Sequence, residues 1–101
     1  MSSDELQGRL DAALPQLAGL RAIIKFDLGA DGQWLVDARN APPSLSAGTD
    51  GDDPDCTISA SAKTLTKLLD GSLDPMLAYG MGRIRVKGSM GVAMKLVSAL
   101  G

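Results

Sequence analysis

The chain has 101 residues, 45% of them hydrophobic and 22% charged, with a net charge of −2, which is one domain's worth of sequence (1–101) with apolar content for a single core. It contains no His and one Cys, so His-based acid–base catalysis, catalytic triads, ordinary zinc sites and an internal disulfide are all excluded. One Phe, one Trp and one Tyr are too few for a base-stacking platform, and no nucleic-acid partner is expected.

Ser2 with Glu5 fits a capping box, and Leu6, Leu10, Ala13, Leu14 and Leu17 follow at helical spacing, with Pro15 shaping the exit. The period then changes to two. Ala22, Ile24, Phe26 and Leu28 alternate with Arg21, Ile23, Lys25 and Asp27, as in a strand with one buried face. A turn at residues 30–33 leads to a return strand that buries Trp34, Val36 and Ala38, and antiparallel pairing follows. Residues 40–55 read as loops around a short strand at Leu45 and Ala47. The acidic run Asp50, Asp52, Asp53 and Asp55 lacks the glycine and closing Glu of a calcium loop, so no metal is expected there.

Residues 55–60 predict a strand with Cys56, Ile58 and Ala60 on one face, Cys56 being read as a small buried side chain. Ser61 caps a helix carrying Leu65, Leu68 and Leu69, which Gly71 stops. Asp74 and Pro75 open a short helix through Met76, Leu77 and Tyr79, ended by Gly80 and Gly82. A strand over 83–87 turns Ile84 and Val86 inward and Arg83, Arg85 and Lys87 outward. Ser89 caps a last helix whose apolar stripe is Met90, Ala93, Met94, Val97 and Leu100, flanked by Leu96. Strands and helices are grouped without a regular strand-helix-strand repeat, so the fold class is α+β: a five-stranded, mainly antiparallel sheet with helices on one face. The glycines at 80–82 and 88–91 match no phosphate-cradle pattern and serve as helix boundaries. Asp27 and Asp37 share their strand faces with Lys25 and Arg39 and read as solvated charge rather than an acid–base pair.

Charge is unevenly divided. Residues 1–60 carry four basic and ten acidic side chains and residues 61–101 six basic and two acidic, −6 and +4 respectively. The spacing of Arg83, Arg85 and Lys87 suits either transient contact with an anionic membrane or a plain solvated face. The acidic, polar start MSSDELQGRL reads as neither a secretory signal nor a transit peptide, and no apolar run approaches a membrane span, so a cytoplasmic protein is expected.

Across residues 61–100 the order Leu65, Leu68, Leu69, Gly71, Asp74, Pro75, Ala78, Tyr79, Gly82, Ile84, Val86, Lys87, Gly88, Ala93, Met94 and Leu96 resembles the sterol carrier protein type-two family. The segment GRIRVKGSM (82–90) is similar to that family's basic alternating strand, glycine and final helix. LRAIIKFDL (20–28) and QWLVDAR (33–39) resemble its opening hairpin, and DCTISAS (55–61) its later strand. Ser89 departs from the acidic or amide residue more frequent there, and residues 80–81 fall where the pattern varies.

The resemblance implies noncovalent binding and transfer of lipids or other apolar molecules (fatty acyl chains, acyl-CoA, sterol-like molecules, phospholipids), without cofactor or catalysis. An alternative is an accessory subunit that presents a lipophilic intermediate to enzymes, as in ubiquinone biosynthesis. With the resemblance added, an apolar pocket between sheet and helices is expected from Phe26, Trp34, Leu69, Met76, Tyr79, Ile84, Val86, Met90, Met94 and Val97. An empty pocket of about 300 Å³ costs about 7 kcal/mol, so it must be occupied, hydrated, partly collapsed or closed by another subunit. A homodimer is one such closure, and the stop at Gly101 suggests it.

Overall fold

The computed structural model describes residues 3–40, 42–49 and 51–100; the side chains of residues 3–5 and of Leu100 are left aside. Ser2 and the Glu5 side chain of the expected capping box, and the Leu100 end of the last apolar stripe, therefore lie outside what is described. In chain order the elements are α1 (Ser3–Leu17), β1 (Ile23–Asp27), a 3₁₀ turn (Gly29–Asp31), β2 (Gln33–Asp37), β3 (Ser44–Ala47), β4 (Cys56–Ser59), α2 (Ala62–Leu69), α3 (Pro75–Gly80), β5 (Arg85–Gly88) and α4 (Met90–Leu100).

The sheet order is β3-β2-β1-β4-β5. The β1–β4 pair is parallel and the other three antiparallel. Because side chains alternate along each strand, this register builds apolar rows across one face. One row runs Leu45–Val36–Ile24–Cys56 and ends at Gly88. The next runs Ala47–Trp34–Phe26–Ile58–Val86. Val36, Ile24, Cys56 and Phe26 are all essentially inaccessible. Leu6, Leu10 and Leu17 of α1, Leu65 and Leu68 of α2, and Ala93 and Leu96 of α4 complete this core.

Local chemistry fixes where the helices start and stop. Thr64 N–H donates to Ser61 Oγ (3.0 Å) at the start of α2, and Met76 N–H donates to Asp74 Oδ1 (2.8 Å) at the start of α3. Both helices end in the same way. Ser72 N–H donates to Lys67 O (3.0 Å) beyond Gly71 (φ +82°), and Arg83 N–H donates to Ala78 O (2.9 Å) beyond Gly82 (φ +75°). These are six-to-one closures around a left-handed glycine. Val92 N–H donates to Ser89 Oγ (3.2 Å), so Ser89 caps α4 as its position predicts.

Three details depart from the sequence reading. The last strand begins at Arg85 rather than 83, because the closure of α3 draws the Arg83 amide back to Ala78. Lys25, expected to be solvated, is only 8% exposed. Its ammonium donates to the carbonyl of Thr49 and lies 3.8 Å from Asp52, so the loop after β3 folds over the outer sheet face. Asp52 in turn accepts from Thr49 N–H (2.6 Å) and Oγ1 (3.1 Å), bonds that hold its carboxyl below the usual range. Finally, α4 turns Ala93 and Leu96 to the core, while Met90 and Met94 are each 48% exposed. The buried stripe is thus rotated away from the two methionines, with the small Ala93 and Leu96 turned toward the core.

Gly88 has φ +92°, and a Cβ there would lie 2.5 Å from the Asp55 carbonyl oxygen. Gly88→Ala is expected to destabilise the fold by about 1–3 kcal/mol by prising β5 from β4. A lowered urea midpoint with unchanged slope checks this, and a midpoint equal to wild type contradicts it.

Candidate ligand-binding site

The middle of the second apolar row is the floor of a cavity. Phe26, Ile58 and Val86 stand side by side on β1, β4 and β5. Ile84, buried just before β5, extends the floor toward α3. Leu65 and Leu68 of α2 close the back, Pro75, Met76 and Tyr79 of α3 one side, and Met90, Ala93, Met94, Leu96 and Val97 of α4 the roof. No polar atom contributes to the lining surface among the described residues, and the cavity volume is about 60 Å³.

This places the expected site residues in three groups. Phe26, Met76, Tyr79, Ile84, Val86, Met90, Met94 and Val97 come together around one cavity. Trp34 and Leu69 do not join them. Trp34 sits beyond Phe26 in the same row, half-buried, with a covered Nε1 that has no hydrogen-bond partner among the described residues. Leu69, one turn after Leu65 on α2 and half-buried against the core, is absent from the cavity lining although it shares the Leu65 side of the helix. Arg83, Arg85 and Lys87 form the third group. All three are exposed, and on β5 the charges of Arg85 and Lys87 project from the sheet face opposite Val86. That outer face also holds Lys25, Asp27, Thr57 and Ser59.

Ile58, Leu65, Leu68, Pro75, Ala93 and Leu96 line the cavity without having been singled out as site residues. Ile58 carried a usable signal, since it alternates in phase with Cys56, but only the parallel β1–β4 register puts it beside Phe26.

Every large apolar side chain that is exposed among the described residues belongs to one region: Met76, Leu77 and Tyr79 on α3, Met81 just after it, and Met90 and Met94 on α4. The exposures run from 45% to 56%. Clustering of this kind marks an interaction surface, and four of the six, Met76, Tyr79, Met90 and Met94, line the cavity. Tyr79 is the one hydroxyl-bearing residue among the described residues that line the cavity. Among the described residues no three His, Cys, Asp or Glu side chains come together to hold a metal ion, and no helix is long and apolar enough to cross a membrane.

A profile of the SCP-2 sterol transfer family matches residues 4–101. The chain belongs to that family. Among curated SCP-2 relatives, the sterol carrier protein 2 of Gallus gallus is 35% identical over 68 residues, which is 67% of this chain and 12% of the relative. The chain therefore spans about an eighth of the length of that relative. The solution structure of sterol carrier protein domain 2 from Helicoverpa armigera superposes with a TM-score of 0.72 at 25% identity, covering 96% of this chain and 83% of that one. Palmitated SCP2L2 from Aedes aegypti superposes with a TM-score of 0.78 at 20% identity, covering 99% and 95%.

Cys56 lies under this SCP-2 sheet face, fully buried, and burial pushes its thiol above the ordinary value. It is expected to resist alkylation in the folded protein at neutral pH, because the thiolate is the reactive form. Mass spectrometry after iodoacetamide treatment reads this directly: rapid labelling without denaturant would show that the sheet opens at β4.

Proposed function

We propose that this SCP-2 chain is a noncovalent, cytoplasmic carrier of lipid-like apolar molecules, taking an acyl chain or comparable apolar body between the sheet and α3–α4. The supporting observation is the coincidence of a wholly apolar-walled cavity with the cluster of half-exposed methionines that rims it. Family membership and the palmitate named for the Aedes aegypti neighbour agree with this reading. No catalytic role is assigned.

Ligand entry requires the cavity to grow. The enclosed 60 Å³ is far below the roughly 300–1,000 Å³ of small-molecule pockets. Growth at modest cost comes from the methionines, whose unbranched chains change rotamer readily. Ala93 lies under the roof at 2% exposure. Ala93→Leu would place the added methyl groups where the ligand goes, so displacement of a fluorescent fatty acid is expected to weaken by about tenfold or more. The variant should remain folded, with a stability change of about 1–3 kcal/mol. Undiminished binding in the folded variant would remove the cavity from the binding site, and absence of micromolar binding in delipidated wild type would remove the carrier reading itself.

The exposed rim must meet something apolar during transfer, and a bilayer is the surface proposed. Arg83, just before the cavity's edge strand, and Arg85 and Lys87 on the outer face of that strand would supply attraction to anionic headgroups of about 1 kcal/mol each near the surface. Replacing all three with Gln is expected to abolish sedimentation with anionic vesicles at low salt, as raised salt does for the wild type. If the triple variant binds vesicles as well as wild type does, the three charges act only as a solvated face. A homodimer covering the same rim would instead appear as concentration-dependent sedimentation of the free protein.

A further inference from the structure

The apolar cavity does not end blindly. At the α2–α3 connection it adjoins a second, wider groove of about 340 Å³. Four residues face both spaces: Leu68, Pro75, Met76 and Val97. A third groove, of about 350 Å³ between α1 and α4, shares only Met94 with the cavity. A chain too long for the cavity therefore has one broad continuation and one narrow one. Met76, unbranched and 51% exposed, is the side chain that can swing aside at the broad one.

The two grooves differ in charge. The α2–α3 groove is lined by a single charged residue, Asp74, together with Gly71 and Leu73. The α1–α4 groove is lined by Lys95, with Gln16 and Ser98. Asp74 is exposed and caps α3 through one oxygen, and a carboxylate has lone pairs for further donors. A carboxylate or phosphate arriving there meets like charge, whereas a hydroxyl finds an acceptor and an ester meets no repulsion.

We infer that the bound molecule continues past Met76 into the α2–α3 groove and ends there in an uncharged polar group, such as a hydroxyl or ester, beside Asp74. This rests on the carrier reading and adds to it the direction of the ligand and the chemistry of its end. The cavity supplies no charged anchor, so the polar end lies outside it, and the shared wall decides on which side.

The test uses the methyl ester of a stearate carrying a nitroxide near its ester end, bound to isotope-labelled wild-type protein. Paramagnetic broadening is expected at the amides of Gly71, Leu73 and Asp74. Broadening centred on Gln16, Gly19, Lys95 and Ser98, or on neither set while the probe is bound, overturns the inference and leaves the carrier reading standing. Failure of this probe and of free stearate to bind wild type overturns both. The charge argument has its own readout. Asp74→Asn keeps a capping side chain and removes the repulsion, so stearate affinity is expected to rise about threefold relative to its methyl ester. An unchanged ratio in the folded variant overturns the assignment of an uncharged end.

Discussion

An apolar void is costly in a chain of 101 residues, and that cost shapes the whole arrangement. At about 24 cal/mol per Å³, a preformed lipid-sized pocket would consume much of the roughly 5–15 kcal/mol that holds a domain of this size together. A void of the 60 Å³ present here costs at most about 1.4 kcal/mol on the same scale, which a small domain tolerates. Partial collapse is thus the way the cost is met, and it requires one wall that can move. Phe26 and Ile58 on the floor are buried and held by the sheet ladder, whereas Met76, Met90 and Met94 are about half exposed. The movable side is where the methionines are.

Much of this was legible before any coordinates. Alternation assigned the buried faces of β1, β2 and β4, and Ser61, Asp74 and Ser89 marked three helix starts because each is a side-chain acceptor just ahead of an apolar period. Eight of the ten expected pocket residues converge on one cavity because inward phase on a strand and a shared helix face are local properties. What was not legible is non-local. Trp34 has the correct phase, yet its strand lies on the far side of β1 from β4 and β5, and strand order is not written in alternation. Lys25 reads as a surface charge until Thr49 and Asp52 close over it. The rotation of α4 depends on how closely Ala93 approaches the sheet, a property of packing rather than of helical period.

The same period of two explains why cationic and apolar functions share one strand. β5 is an edge strand, and an uncharged edge invites pairing with other chains. Arg85 and Lys87 guard that edge by facing outward, and the geometry that turns them out turns Val86 in, onto the cavity floor. The charges of this strand are therefore kept on the outer face and out of the lining.

The two apolar rows differ in how they are closed. The row through Val36, Ile24 and Cys56 is sealed on all sides and ends at Gly88, where the absence of a side chain lets β5 close on Asp55. The row through Phe26, Ile58 and Val86 lies one residue pair further along the same strands and opens to α3 and α4. On the proposed reading, a ligand entering at the second row would displace α3 and α4, while the strand pairing and the sealed row stay as they are. α3 is short and stopped at both ends by its own caps, so the proposed displacement would not require it to unwind. Caps that fix helix length and a glycine that fixes the sheet edge thus allow a yielding wall in so small a fold.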